Sequence, residues 1–197
     1  LQHLAALAMP TAPVYLWGPA ASGKTHLLQA LVARCQAAGQ TAAWFDAADP
    51  EPWVLQPHWA LVVVDRCELL NPVAQHAAFA LFEAALAQGV QWLAAGRLPP
   101  VDMPLRDDLR TRLGWGHIFA LEPLADSETR AALRREADHR GIFLPDDVMD
   151  YLLVRFPRDL GHLMQVLDRL DEFGLAKGRR ITPVSYTHLR AHETRMV

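Results

Sequence analysis

A five-stranded parallel sheet with helices on both faces, followed by a small helical module, is the α/β architecture that the sequence predicts. Three observations predict it. Short apolar, β-prone runs alternate with helix-patterned stretches as far as about residue 121. One of those runs, residues 61–64 (Leu-Val-Val-Val), has no polar alternation, as expected of a parallel strand buried on both faces. After Glu122-Pro123 the strand-like runs stop and helical patterning takes over.

The elements follow in order. Residues 14–17 (Val-Tyr-Leu-Trp) read as a strand ending at Gly18. Residues 18–23 form a small-residue loop, and from Lys24 the spacing of Leu27, Leu28, Leu31, Val32 and Cys35 predicts a helix that Gly39 stops. Residues 41–45 read as a second strand and 46–57 as a loop. Residues 61–64 read as a third strand, ending in Asp65. Residues 72–88 predict a helix with Phe79, Phe82 and Leu86 on its apolar stripe. Residues 90–95 and 118–121 read as the last two strands, separated by a loop rich in Pro and charge. Three helices are expected beyond, over 127–140, 146–156 and 158–174, separated by Gly141-Ile142 with Pro145 and by Pro157. The expected division is an α/β core over 1–121, a helical lid over 122–183 and a non-native tail over 184–197.

Composition narrows the function classes. The chain has 197 residues, 51% of them hydrophobic and 21% charged, which is a globular balance and excludes wholesale disorder. A formal net charge of −3 gives no bulk attraction to nucleic acid or to an acidic membrane. No apolar run approaches the ~20 residues that span a bilayer. The sequence opens at Leu1 without a basic head and apolar run, so a cytoplasmic location is expected and residues before Leu1 are expected to be missing. Two cysteines, Cys35 and Cys67, read as buried thiols rather than a disulfide or metal framework. Trp44, Trp53, Trp59 and Trp92 show no spacing with basic residues and read as core or interface rather than a base-stacking platform. His188, His192 and Glu193 lie in the tail and are assigned no metal.

One motif carries chemistry. Gly18-Pro19-Ala20-Ala21-Ser22-Gly23-Lys24-Thr25 matches the phosphate-binding pattern G-x-x-x-x-G-K-[ST], placed between a strand and a helix as the pattern requires. Its glycines permit close backbone approach, its amides face phosphate oxygens, and the following helix aims its N-terminus at the same anion. Lys24, one of only two lysines in the chain, would neutralise the terminal phosphates. The Thr25 hydroxyl would ligate Mg2+. Asp65, at the end of an apolar strand, is the acid expected to hold the Mg2+ shell through water. His26 lies near this motif but reads as a helix-surface residue.

The phosphate loop, the strand-end Asp65, the run 108–116 (Asp-Leu-Arg-Thr-Arg-Leu-Gly-Trp-Gly) and the three-helix lid together resemble the AAA+ ATPases of the DnaA initiator family, and within it the regulators that inactivate the initiator. Gly96-Arg97-Leu98-Pro99-Pro100, Glu122-Pro123-Leu124 and 141–145 (Gly-Ile-Phe-Leu-Pro) strengthen the resemblance, which spans about residues 1–183. It implies that Arg112 is an arginine finger reaching a neighbouring subunit's nucleotide, against the plainer reading of a surface Arg paired with Asp107 or Asp108. It implies ADP or ATP with Mg2+ as cofactors and the DnaA initiator as partner. A sliding clamp would be engaged through a motif N-terminal to Leu1, DNA would be reached only indirectly, and a homo-oligomer is possible.

The chain also departs from the family pattern. Active members follow the strand-end Asp with a second acid, where this chain has Arg66, with Glu68 two positions further on. The polar sensor expected at the end of the 90–95 strand is missing, since the tip reads Ala94-Ala95-Gly96. The lid arginine that touches nucleotide aligns with Gly161, and Arg158 is the nearest substitute. The expected activity is therefore nucleotide binding with weak or absent ATPase, and stimulation of hydrolysis of DnaA-bound ATP. The alternatives are a DNA-binding initiator or helicase-loader fragment, or a nucleotide-gated scaffold.

Overall fold

The structure is a computed structural model that describes residues 12–155, 163–164 and 166–168. The chain divides into two compact units, Leu1–Glu122 and Pro123–Val197.

The first unit is a five-stranded parallel sheet in the order β2-β3-β4-β1-β5. The strands are β1 (Val14–Trp17), β2 (Thr41–Phe45), β3 (Trp59–Val64), β4 (Gln91–Gly96) and β5 (His117–Ala120). Helix α1 (Lys24–Ala37) follows β1, α2 (Pro72–Ala87) follows β3, and α3 (Asp107–Leu113) precedes β5. The boundaries of the expected strands and helices agree with the sequence pattern to within two residues, but α3 lies in the stretch between the last two strands where the sequence reading expected no helix.

Strand residues alternate between two apolar layers, because side chains on a strand have a period of two. Val14, Leu16, Leu61, Val63, Leu93 and Ala95 pack with Leu28, Leu31 and Cys35 of α1. Tyr15, Val62, Val64, Trp92 and Ala94 pack on the other face with α2 and α3. This double burial explains why 61–64 shows no polar alternation.

Asn71 caps α2, its side-chain oxygen accepting from the amides of Val73 (2.8 Å) and Ala74 (2.9 Å), and Pro72 occupies the first helical position. The buried stripe of α2 is Ala74, Ala78, Leu81, Phe82 and Ala85. Here the sequence reading needs correcting: Phe82 is in the core, Phe79 is only partly buried against it, and Leu86 is 44% exposed. Three small alanines on the true stripe, Ala74, Ala78 and Ala85, let the helix approach the sheet closely, which a count of large apolar residues overlooks.

Trp53 and Trp92 are buried and Trp59 packs partly against the same layer. Trp53 stacks on Phe45 with ring centroids 4.9 Å apart, so the long loop after β2 is anchored on the sheet by its aromatic residue.

The second unit contains α4 (Asp126–His139) and α5 (Asp146–Arg155). Glu128 accepts from the Ala125 amide at 2.9 Å, the carboxylate half of a capping box at the start of α4. Leu133, Ala137, Ile142, Leu144, Val148, Met149 and Leu152 form its core with Leu163, Val166 and Leu167. Ion pairs Arg130–Asp150, Arg134–Asp146 and Arg140–Asp168 run along its surface. The rest of the expected 158–174 helix, Arg158, Gly161 and the tail over 184–197 lie outside the described residues.

Candidate nucleotide site

Residues 18–25 connect β1 to α1. Gly18 sits where the chain leaves the sheet: its amide donates to the Gly96 carbonyl at 3.3 Å, and a Cβ at this position would run into the Leu121 carbonyl. Gly23 caps α1 with φ 86°, a left-handed conformation that only glycine adopts without cost. Ala21 also takes a positive φ of 64°. The loop is thus wrapped tightly around the N-terminus of α1, the end at which unpaired amides and the helix dipole attract an anion.

Lys24 Nζ donates to the carbonyls of Gly18 and Pro19, both at 2.7 Å, and to Ser22 Oγ at 3.2 Å. Its ammonium therefore sits inside the curl of the loop. Burial pushes its pKa below the ordinary lysine value, while the Glu68 and Asp65 carboxylates oppose that shift and the Arg97 guanidinium adds to it.

Thr25 and Asp65, forty residues apart in sequence, meet in space. Thr25 Oγ1 donates to Asp65 Oδ2 at 2.6 Å. Asp65 is 3% exposed, its amide bonds the Phe45 carbonyl at 3.0 Å, and its Oδ1 accepts from the Arg66 amide at 2.9 Å. A hydroxyl and a carboxylate oxygen side by side are a hard donor set of the kind Mg2+ takes. Among the described residues no group of three or more His, Cys, Asp or Glu could hold a metal ion. The Thr25–Asp65 pair by itself offers two oxygen donors.

Arg66 fills the position after Asp65 with φ 52°, and its side chain turns away to pair with Asp46. A bulky residue in this backbone region costs on the order of 1 kcal/mol. The tight turn it makes leads into the 3-10 turn Cys67–Leu69. That turn brings Glu68 back among the site's charged groups, a placement its distance in sequence from Asp65 conceals. Glu68 Oε1 pairs with Arg97 Nε at 3.3 Å, and Glu68 Oε2 is buried without a hydrogen-bond partner. Arg97 follows Gly96, whose carbonyl holds the Gly18 amide. A cation thus stands one residue beyond the Ala94-Ala95-Gly96 tip, where the sequence shows no polar sensor. Sequence reasoning noted Glu68 as a displaced acid and Arg97 within a motif, but made neither a site residue and did not foresee that the two pair.

Arg112 lies on α3. Its expected plain partners are otherwise engaged: Asp107 pairs with Arg110 at 2.6 Å and Asp108 with Arg106 at 2.7 Å. Arg112 Nε instead donates to Glu83 Oε1 of α2 at 2.7 Å, and its guanidinium lies 4.2 Å from the Trp115 ring centroid. The start of α3 is fixed by Gln75, which is buried; its Oε1 accepts from the Arg106 amide at 2.9 Å and its Nε2 donates to the Leu70 carbonyl at 2.8 Å.

Comparison with known proteins agrees with this architecture. Residues 126–183 match the family described as Hda, lid domain. Domain III of the Thermotoga maritima replication initiation protein DnaA superposes with a TM-score of 0.74 at 16% identity, over 93% of this chain and 85% of that one. AMPPCP-bound DnaA from Aquifex aeolicus gives 0.66 at 19% identity, over 88% of this chain and 59% of that one. The Thermotoga maritima RuvB Holliday junction branch migration motor gives 0.60 at 17% identity, with the same coverages of 88% and 59%. At these identities the likeness is one of fold, and the chain spans about three fifths of the length of the longer relatives. Among the described residues no helix is long and apolar enough to cross a membrane. The chain thus pairs a parallel α/β sheet of the fold seen in DnaA domain III with a segment, residues 126–183, that matches the Hda lid domain, and so is similar to the DnaA-related AAA+ proteins.

Proposed function

We propose that this protein binds ADP or ATP with Mg2+ at residues 18–25 and Asp65, and acts as a regulator that stimulates hydrolysis of the ATP held by a DnaA initiator. Gly18, Pro19, Ala20, Ala21, Ser22 and Gly23 supply the backbone cradle, Lys24 faces the phosphates, and Thr25 and Asp65 hold the cation directly or through water. Mg2+ would neutralise phosphate charge there; the protein's part is to orient the nucleotide. Arg112 acts in trans, placing a permanent positive charge against the partner's transferring phosphoryl group. The sliding clamp is a further proposed partner, through sequence N-terminal to Leu1. DNA is reached through these partners in the cytoplasm, and self-association is compatible with the reading.

The observation that carries the proposal is the division of labour between two places. The phosphate loop is assembled, with Thr25 and Asp65 in contact, yet the position after Asp65 holds Arg66, turned toward Asp46. A positively charged side chain there cannot take a proton from water, so turnover on this chain is expected to be slow. Arg112, by contrast, pairs with Glu83 of α2 and not with the phosphate loop, and stands at the position that the resemblance assigns to the arginine finger. The test is hydrolysis of DnaA-bound ATP in the presence of clamp and DNA. Wild type should stimulate, and Arg112→Ala should lose stimulation by on the order of 10³-fold, the low end of what such arginines contribute. Equal stimulation by the two proteins would remove Arg112 from the mechanism.

A further inference from the structure

The guanidinium of Arg112 is held on two sides. On one edge, Nε donates to Glu83 Oε1 at 2.7 Å. On one face, the Trp115 ring lies 4.2 Å from the guanidinium carbon, with the Phe79 ring at 6.0 Å. Among the described residues neither terminal nitrogen, Nη1 or Nη2, has a hydrogen-bond partner. A guanidinium presents two nitrogen-bearing edges for bidentate contact with an oxyanion, and the Nη1–Nη2 edge is one of them.

The two supports are poorly explained by stability. Glu83 is 44% exposed along its side chain, and Trp115 is 58% exposed. An ion pair that open to solvent contributes little to folding, because water and salt screen it and ordering two long side chains costs entropy. A large aromatic ring left exposed likewise gains little by burial. What the arrangement does accomplish is to remove rotamer freedom from a long side chain while leaving its Nη1–Nη2 edge without a partner among the described residues. Ordering a flexible group before it meets its target lowers the cost of the encounter.

We propose that Glu83 and Trp115 are positioning residues for Arg112, pre-orienting its Nη1–Nη2 edge toward a phosphoryl group on a partner. Glu83 fixes the edge by an acceptor to Nε, and Trp115 fixes the plane by stacking. Phe79 extends the apolar side of the cradle. Glu83 and Phe79 come from α2 and Trp115 from the turn after α3, so the cradle forms around Arg112 only when α2 and α3 are docked together.

The inference rests on the reading of Arg112 as acting in trans, and the experiment separates the two. Full-chain wild type, Arg112→Ala, Glu83→Ala, Glu83→Gln, Trp115→Ala and Trp115→Phe are compared for stimulated hydrolysis of DnaA-bound ATP. Maximal rate and half-saturating concentration are measured separately, with thermal melting as the check on folding. Glu83→Ala and Trp115→Ala should each lower the maximal rate about tenfold, since a small misplacement of a charge-stabilising group is costly at the transition state. Glu83→Gln, whose amide oxygen still accepts from Nε, and Trp115→Phe, which keeps a ring, should recover most of that loss. If Arg112→Ala stimulates like wild type, the finger reading itself falls. If Arg112→Ala is inactive while both alanine variants of the cradle keep the wild-type maximal rate or exceed it, the positioning role is overturned and the finger stands.

Discussion

Asp65 shows how one buried side chain organises a site. Its two oxygens serve different purposes: Oδ1 accepts from the Arg66 amide and fixes the turn, while Oδ2 meets the Thr25 hydroxyl at 2.6 Å. The nearby thiol has a different character. Cys67 is 1% exposed, its Sγ donates to the Val64 carbonyl at 3.6 Å, and burial together with the Glu68 and Asp65 carboxylates pushes its pKa far above the ordinary thiol value. Cys35 is 5% exposed and shifted upward by burial as well. Neither thiol should react with an aromatic disulfide reagent at pH 8 until the protein is unfolded, when both should. The same shift has a consequence for stability. Above about pH 9 the unfolded chain loses the Cys67 proton while the folded chain keeps it, so the folded state binds more protons and stability falls as pH rises. The buried Tyr15 hydroxyl, also raised, acts in the same direction at higher pH; Lys24, lowered by burial, acts against both. Urea midpoints compared at pH 8 and pH 10 should fall less for Cys67→Ala than for wild type. An equal fall would mean that the thiol does not contribute.

Elements here are held by short polar contacts as much as by apolar stripes. Gln75 is the clearest case, because one side chain on α2 satisfies the Leu70 carbonyl before the helix and the Arg106 amide at the entry to α3. Gln75→Ala would leave two such groups without partners and is expected to cost about 1–3 kcal/mol. If Arg112 acts as proposed, the same change should also lower stimulation of DnaA-bound ATP hydrolysis more than a thermal-stability loss of that size explains, since α3 carries Arg112. Chemical denaturation and the stimulation assay read the two effects separately. The helix pattern alone did not show this link. Gln75 looks like an ordinary polar helix residue until α3 is folded against it. The alanine-rich stripe of α2 was hidden for a related reason: small residues are chosen by the distance between helix and sheet, and that distance is a property of the packed layers.

At the scale of the molecule, β1, β3 and β4 end side by side, and the phosphate loop, Asp65 and Gly96 all lie at those ends. Open parallel sheets place their ligand sites beyond the carboxyl ends of the strands for this reason: loops from separate strands converge there, facing helix N-termini. If the proposed ligand occupies this place, it binds the folded chain only, and mass action must stabilise the protein. At one hundred times its dissociation constant, Mg2+-ADP should add about 2.7 kcal/mol, raising the melting temperature by several degrees. Lys24→Ala should abolish the increment, as seen by scanning calorimetry with and without nucleotide. An undiminished increment in Lys24→Ala would place the nucleotide elsewhere.

The sequence by itself determined the strands, the phosphate-loop pattern and every described helix but α3, because these are written in neighbouring residues. Runs such as 61–64 specify buried strands, and Gly18, Gly23, Lys24 and Thr25 are tied to their proposed task by fixed local spacing. Asp65 was legible for the same reason, as the polar end of an apolar run. The tertiary structure decided what those residues touch. It placed Thr25 against Asp65 and carried Glu68 to Arg97 through the left-handed turn at Arg66. It also gave Arg112 to Glu83 and Trp115 rather than to the acids beside it in the chain. The physical reason is that hydrogen bonds and ion pairs act over a few ångströms of space. Which side chains come that close is set by strand order and helix docking, and neither is encoded in local spacing.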